Sequence, residues 1–128
     1  YNIENIDIKV IQWTQEKEIS DLSKIDIGLY PLIKDDWVSG KSGLKTLQYM
    51  AMGIPSISTN IGNVKKFINH GANGFLVNDI YEWYDCILKI YNDFNLRKKI
   101  SINGRKTIEN YYSIKKIDKL YLEVFEKL

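Results

Sequence analysis

Hydrophobic residues along the chain alternate between short runs and helical spacing, which is the pattern of βαβ units built on a parallel sheet. Strands are predicted over residues 6–13, 25–30, 55–59 and 75–77. Helices are predicted over residues 17–25, 43–52, 64–69, 81–93, 95–111 and 114–127, with a loop over residues 32–40. We therefore expect an α/β fold, a Rossmann-like parallel sheet flanked by helices, with a helical C-terminal segment.

Composition narrows the class of protein. The 128 residues include 45% hydrophobic and 12% aromatic residues, enough for a substantial core, so disorder is not expected. No apolar run approaches the roughly 20 residues that span a bilayer, and a net charge of +2 is too mild to indicate nucleic acid. The chain starts at Tyr1 without an initiator methionine or a signal peptide, so we expect a part of a longer protein.

The single cysteine, Cys86, lies on one helical face with Trp83, Ile87 and Ile90. One cysteine builds neither a disulfide nor a metal framework, so we predict a buried structural thiol. A reducing, cytoplasmic setting fits this prediction.

Ligands of open parallel sheets bind outside the carboxyl ends of the strands. The loop after the second strand lies there and is rich in polar residues and glycine, so the chemistry is expected between Pro31 and Gly53. In the helix that follows, a core face is predicted to carry Leu44, Leu47 and Ala51. A second face is expected to carry Lys41, Lys45, Gln48 and Met52.

Two lysines at a helix N-terminus break a local rule, because the helix dipole is already positive there. Such violations cluster at functional sites, and free backbone N–H groups together with two ammonium groups bind anions well. We predict a phosphate or diphosphate ligand at Lys41 and Lys45; the alternative is that both lysines are only solvated. A P-loop is rejected, because Asp35 holds the position that needs glycine.

Three segments resemble one known family. They are Asp26-Ile27-Gly28-Leu29-Tyr30-Pro31, Tyr49-Met50-Ala51-Met52-Gly53-Ile54-Pro55 and His70-Gly71-Ala72-Asn73-Gly74-Phe75-Leu76-Val77. In order and spacing they are similar to the C-terminal, nucleotide-sugar-binding domain of glycosyltransferase family 4, enzymes of the GT-B fold with two Rossmann-like domains. The resemblance implies a truncated donor-binding domain over residues 1–112 and a C-terminal helix over residues 113–128.

The resemblance also implies roles for individual residues. In the family, one glutamate contacts the transferred sugar and a second contacts the ribose; their positions fall on Gly40 and Gln48 here, so both glutamates are absent. Gln48 can still hydrogen-bond a ribose. Asp35 or Asp36 is expected to replace the glutamate that contacts the sugar. Lys41 and Lys45 are expected to be the catalytic residues that meet the diphosphate charge. The remaining donor-binding positions are the backbone of Ser42, Gly43 and Leu44, and a base site around Trp13, Thr14 and Ile19. Trp13 either stacks on the base or belongs to the core.

By this resemblance, the full-length protein is a retaining glycosyltransferase of the hexosyltransferase type. It transfers a sugar from a nucleotide-diphosphate sugar to a glycan or lipid-linked acceptor, without a metal or another cofactor. The acceptor domain is absent from these residues, so the chain is expected to be inactive alone. The expected location is the cytoplasm, with peripheral contact at the inner face of the plasma membrane.

Several alternatives stay open. A non-catalytic nucleotide-binding module would explain both absent glutamates, and an epimerase of the same fold would bind the same donor. The apolar stripe of the last helix could form a homodimer, and it comprises Ile114, Ile117, Tyr121, Val124 and Leu128. The basic residues 97–99, 105–106 and 115–116 are expected either to contact anionic lipid or to form a solvated helix face. His70 is expected to have a turn or cap role.

Overall fold

The computed structural model describes residues 4–33 and 35–126, and for Asp36 and Trp37 it describes the backbone. The helices are α1 Glu18–Leu22, α2 Asp36–Ser39, α3 Leu44–Ala51, α4 Ile80–Asn92, α5 Phe94–Thr107 and α6 Ile114–Phe125. The strands are β1 Gly28–Tyr30, β2 Ser56–Thr59 and β3 Phe75–Val77. A 3₁₀ helix, Gly62–Lys66, lies between β2 and β3, and a π-helical turn, Ile108–Tyr112, lies between α5 and α6.

The three strands form one parallel sheet in the order β1-β2-β3. All four residues of β2 are buried, as expected of a central strand that is covered on both faces. In the register of the sheet, Ile57 of β2 lies between Leu29 of β1 and Phe75 of β3. The predicted α/β fold with a parallel sheet and a helical C-terminal segment is confirmed.

Two hydrophobic clusters hold the layers together. The first joins the sheet residues Ile57, Phe75 and Val77 to Cys86 and Ile90 of α4 and to Ile100 of α5. The second comprises Met50 of α3 with Val64, Phe67 and Ile68. Because successive residues of a strand face opposite sides, Ile57 and Ser58 serve different layers.

Cys86 is a member of the first cluster and is 4% exposed, so the predicted buried thiol is confirmed. Burial raises the pKa of this thiol above its ordinary value; the charge of Lys89 opposes the increase, and Glu82 and Asp85 add to it to a smaller extent. The thiolate is therefore disfavoured, in keeping with a structural role.

The strand predicted over residues 6–13 is wrong. These residues belong to no strand of the sheet, and Ile6, Val10, Ile11 and Trp13 are exposed. Alternating apolar residues indicate that a segment fits a half-buried pleated surface, but a strand also requires a neighbour for its backbone hydrogen bonds. Among the described residues, β1 is paired only with β2.

Other element boundaries differ from the predictions in instructive ways. The loop predicted over residues 32–40 contains α2, because Asp35 Oδ1 accepts a hydrogen bond from the Val38 N–H at 2.6 Å and starts a helical turn. The predicted first helix is reduced to five residues, and the helix predicted over residues 64–69 is the 3₁₀ helix. By contrast, α4 begins within one residue of its predicted start, because Asp79 accepts from the N–H groups of Tyr81 and Glu82, both at 2.9 Å.

The face of α3 that packs on the sheet also differs from the prediction. Leu44 is 59% exposed, whereas Thr46 is fully buried and Met50 is 1% exposed. The Thr46 and Ser58 hydroxyls form a hydrogen bond of 2.8 Å in the interior, which makes a polar residue suitable for this core position. Gly28 of β1 packs directly against the Tyr49 ring, so a larger residue there would push α3 away.

The last helix, α6, has no buried residue over its described length. Ile114, Tyr121 and Val124 are each at least 60% exposed, so the predicted apolar stripe lies open, and Leu128 lies outside the described residues. Dimerisation through this stripe stays a prediction. The predicted basic group is not uniformly solvated, because Arg97 donates to the Ile90 carbonyl at 3.3 Å and Arg105 donates to the Ala51 carbonyl.

Replacing Thr46 by valine tests the buried hydroxyl pair. The change leaves Ser58 Oγ buried without its partner, so we expect Thr46→Val to lower the free energy of unfolding by about 1–3 kcal/mol. Adding Ser58→Ala removes the orphaned hydroxyl, and the double variant should be no less stable than Thr46→Val. Urea unfolding of both variants measures this coupling; strictly additive losses would contradict it.

Candidate functional site

Polar side chains from α1, α3 and the segment before α1 meet around Glu18. The Glu18 Oε1 atom accepts a hydrogen bond from Gln48 Nε2 at 2.8 Å and lies 3.5 Å from Lys45 Nζ. The Trp13 side chain also interacts with this carboxylate. We call Trp13, Glu18, Lys45 and Gln48 the Glu18 cluster.

The Glu18 carboxyl is surrounded by hydrogen-bond donors. The Gln48 amide lowers its pKa most, partial desolvation opposes the decrease, and Trp13 and Lys45 lower it further. Glu18 is therefore ionised at neutral pH. The Glu18–Lys45 ion pair is partly open to solvent, with 22% and 47% of the two side chains exposed, so it contributes little stability alone.

The N-terminus of α3 lies beside the cluster and carries no side-chain cap. Its capping residue is Gly43, in the left-handed conformation at φ 77°, and Leu44 is the first helical residue. Lys41 precedes the helix, so helical spacing does not align it with Lys45 as the sequence predicted. The first backbone N–H groups of α3 are directed away from the helix body, as in sites that bind anions.

The 3₁₀ helix holds the loop that carries Lys41. Asn63 Nδ2 donates to the Lys41 carbonyl at 3.3 Å. A Cβ on Gly62 would lie 2.8 Å from the Ser39 carbonyl, and one on Gly43 would lie 2.8 Å from Val64 Cγ1. The two glycines thus allow a close approach that larger residues would prevent.

The predicted site residues separate into two groups. Trp13, Lys45 and Gln48 meet in the Glu18 cluster. Gly40, Lys41 and Ser42 lie exposed on the adjoining loop, next to the buried Gly43 and the exposed Leu44.

The other predicted positions have different surroundings. Thr14 is half-buried, and its Oγ1 has no hydrogen-bond partner among the described residues. Asp36 lies at the start of α2, but its side chain is outside the described residues. Asp35, the alternative for the first glutamate, already uses Oδ1 to cap α2. Ile19 is 63% exposed on α1.

Two residues of the site were missed from the sequence, Glu18 and Asn63. Glu18 is 30 positions from Gln48, so no local spacing connects them. A usable signal was the acidic first turn of the helix predicted after Trp13, which contains both Glu18 and Asp21. Asn63 gave no signal, because its contact with Lys41 is to the backbone.

His70 serves local structure, as predicted. Its Nδ1 lies 2.9 Å from the Leu76 carbonyl oxygen and 3.2 Å from the Leu76 nitrogen, and its ring packs edge-on against Phe75. Within residues 4–33 and 35–126, no three His, Cys, Asp or Glu side chains are grouped as in a metal site. No helix in that part of the chain is long and apolar enough to cross a membrane.

Acid should weaken the Glu18 cluster. The folded-state pKa of Glu18 is below its ordinary 4.5, so as pH falls the unfolded chain takes up this proton first and the stabilisation is lost. We expect the stability difference between the wild type and Glu18→Gln to shrink as pH falls below about 4. Denaturant unfolding at several pH values measures it, with the exposed Glu16→Gln as control. A pH-independent difference would refute this role.

Two glycine variants should separate backbone strain from steric conflict at Gly43, which follows the loop that carries Lys41. Gly43 and Gly71 both have positive φ, 77° and 76°, but a Cβ meets nothing within 4 Å at Gly71. We expect Gly71→Ala to cost about 1 kcal/mol through backbone strain, and Gly43→Ala to cost about 3 kcal/mol because of the contact with Val64. Thermal unfolding compares them; equal losses would show that the contact with Val64 is not restrictive.

Known structures share this fold. The C-terminal domain of a glycosyl transferase group 1 family protein, LpcC, from Francisella tularensis aligns with a TM-score of 0.68 and 26% identity, over 82% of this chain and 53% of that one. Anabaena HepE, in a crystal structure with UDP and glucose, aligns with a TM-score of 0.74 at 18% identity, over 84% of this chain and 29% of that one. At that identity the second likeness shows the fold alone.

Sequence comparison leads to the same family. The chain is 29% identical to the capsular polysaccharide biosynthesis glycosyltransferase CapM of Staphylococcus aureus over 97 residues, which are 74% of this chain and 24% of CapM. It is 31% identical over 85 residues to a probable sucrose-phosphate synthase of Thermosipho melanesiensis, covering 66% of this chain and 19% of that protein. The chain thus spans a quarter or less of these relatives. Residues 2–93 match the family model described as glycosyl transferases group 1. The chain therefore belongs to the group 1 glycosyltransferases.

Proposed function

We propose that this chain forms the nucleotide-sugar-binding part of a retaining glycosyltransferase of family 4. The full-length protein transfers a hexosyl group from a nucleotide-diphosphate sugar to a glycan or lipid-linked acceptor. The chain itself contributes the donor site, and we propose that it transfers no sugar alone.

The observation that carries this proposal is the position of the Glu18 cluster beside the uncapped N-terminus of α3. The cluster offers an aromatic ring and amide groups, which suit the base and ribose of a nucleoside. The helix N-terminus, with Lys41 and Lys45, offers positive charge for a diphosphate. A nucleoside diphosphate needs these two kinds of surface side by side. HepE, which has the same fold, has been crystallised with UDP and glucose.

In this proposal the main chemical task is to stabilise a leaving group. The bond between the sugar and the diphosphate breaks, and negative charge develops on the diphosphate oxygen. Lys41, Lys45 and the N–H groups of Ser42, Gly43 and Leu44 stabilise that charge electrostatically, and no metal is needed. Lys45 is already 3.5 Å from Glu18, whereas Lys41 extends from an exposed loop. We therefore assign the larger share of the diphosphate charge to Lys41.

A non-catalytic nucleotide-binding module is the second candidate function, and one observation favours it. At Gly40, where the family has its first donor-contacting glutamate, the chain offers no side chain, and Asp35 uses one oxygen to cap α2. Such a module would bind a nucleoside diphosphate as tightly as its sugar derivative. A transferase or an epimerase should gain affinity from the sugar.

The partners and location follow from the proposed reaction. The acceptor is bound by a further domain of the same polypeptide, and a lipid-linked acceptor would bring the protein to the inner face of the plasma membrane. We propose a cytoplasmic location on the same grounds, since nucleotide sugars are cytoplasmic substrates of this family.

Removing the lysines tests the donor site. We expect Lys41→Ala to weaken UDP binding about 10–100-fold, because a charge-assisted contact to phosphate is lost, and to leave uridine binding nearly unchanged. Lys45→Ala should have a smaller effect in the same direction, since Glu18 already offsets part of its charge. Calorimetric titration of each variant with UDP and with uridine measures these affinities, with the wild type as the reference.

The matched control is Lys98→Ala, which removes an exposed lysine from α5. It should change neither affinity. Equal losses of UDP and uridine binding in Lys41→Ala would contradict the diphosphate role. No binding of UDP, GDP or CMP derivatives by the wild type would contradict the proposed function itself.

A further inference from the structure

Two adjoining clefts lie between the loop before β3 and the C-terminal end of α5. Their volumes are about 270 Å³ and 410 Å³, near the lower end of the range of about 300–1,000 Å³ that is usual for small-molecule sites. Asn73, Thr107 and Tyr111 line both of them. We call the two together the asparagine cleft, because its further lining residues include Asn69, Asn103 and Asn110.

Hydrogen bonds fix the floor of the asparagine cleft. The buried Asn73 side chain accepts from the Asn69 N–H at 2.7 Å and donates to the Thr107 hydroxyl at 2.9 Å. The Asn103 side chain of α5 donates to the Ala72 carbonyl at 2.8 Å. The loop and the helix are therefore joined before any ligand binds, so a ligand would meet groups that are already in position and would lose little affinity to their ordering.

The rim of the cleft carries polar groups that the fold does not use. Within the described part of the chain, the side chains of Lys66, Lys106 and Asn110 form no hydrogen bond or ion pair. An amide both donates and accepts, which suits hydroxyl groups, and an ammonium group suits a carboxylate or a phosphate. No acidic side chain is among the described residues that line either cleft. The two lysines are therefore open to an anionic group of a ligand.

Tyr111 gives the cleft an exposed aromatic ring. It lies in the π-helical turn Ile108–Tyr112 and is 69% exposed. The neighbouring Tyr112 packs edge-on against Phe67, with 5.7 Å between the ring centroids, and so anchors the turn. Helical turns of this kind are rare and frequently occur at functional sites. An aromatic face beside amide groups suits a sugar ring, which has apolar C–H groups on its faces and hydroxyls around its edge.

We propose that the asparagine cleft binds an acidic saccharide, at a site other than the proposed donor site. Tyr111 packs on the sugar ring, the amides of the rim bind its hydroxyls, and Lys66 and Lys106 pair with its carboxylate or phosphate. Asn73 precedes β3, so this cleft lies towards the amino ends of the strands, whereas Lys41 follows the carboxyl end of β1. The inference therefore does not depend on the proposed function.

Glucuronic acid and glucose are suitable probes, because they differ by one carboxylate on the same ring. Titration of the isotope-labelled chain, followed by nuclear magnetic resonance, should show saturable shifts at Asn110 and Tyr111 and none at Trp13. Glucuronate should bind about fivefold more tightly than glucose at low ionic strength, because its carboxylate adds an ion pair with Lys106.

Two substitutions separate these contacts. Lys106→Gln should remove most of the advantage of glucuronate and leave glucose binding nearly unchanged. Tyr111→Ala should weaken the binding of both sugars by about three- to tenfold and keep their ratio, because it removes the ring contact that they share. The matched controls are Lys98→Gln on the same helix and Tyr84→Ala on α4, both exposed, and neither should change either affinity.

Three results would overturn the inference. The first is the absence of saturable shifts in the cleft with both sugars. The second is acetate binding as tightly as glucuronate, which would show a contact with any small anion rather than recognition of a saccharide. The third is a shift at Trp13 in place of Tyr111, which would place the sugar in the proposed donor site. A failure of the wild type to bind UDP would contradict the proposed function and leave this inference standing.

Discussion

The hydrogen bond between the Thr46 and Ser58 hydroxyls determines how α3 lies on the sheet, and the candidate site depends on that placement. Both residues are fully buried, so a rotation of the helix would leave two hydroxyls without partners in a dry interior. Met50, one helical turn further on, adds an apolar contact on the same face. Gly28 lets the Tyr49 ring approach β1 closely. Together these contacts allow one rotation of α3 and exclude the one in which Leu44 is buried.

This rotation has a direct consequence for charge. With Thr46 and Met50 directed into the protein, Lys45 and Gln48 are directed towards α1, where Glu18 contacts both of them. The exposed Leu44 is a result of the same geometry, since the first turn of α3 cannot bury both Leu44 and Thr46. The 3₁₀ helix restrains the other side of the site through Asn63 and the close approach at Gly43. A core contact and a loop contact thus set the positions of the polar groups.

Sequence reasoning predicted β2, β3 and α4 well, because their burial is nearly continuous or strongly periodic. It failed for residues 6–13, where hydrophobic residues alternate but no strand among the described residues pairs with the segment. It chose Leu44 over Thr46 for the core, because hydrophobicity along a helix does not reveal a buried hydroxyl partner on a strand 12 positions away. Trp13, Lys45 and Gln48 were nominated from the sequence, and the fold brings them together. Glu18 was not nominated, because its contact with Gln48 joins residues 30 positions apart and arises only when the chain folds.

Glu18 also divides the site electrostatically. Without it, Lys41, Lys45 and the positive end of the α3 dipole would form one continuous region of positive charge, which would attract any anion with little regard to orientation. The carboxylate neutralises that region on the side of α1, where Trp13 and Gln48 lie, and leaves Lys41 on the loop side. In the donor site that we propose, an anionic group is then favoured near Lys41 and disfavoured near Glu18. In that proposal, one acidic side chain gives a ligand with a neutral end and a charged end a preferred orientation, with the charged end towards Lys41.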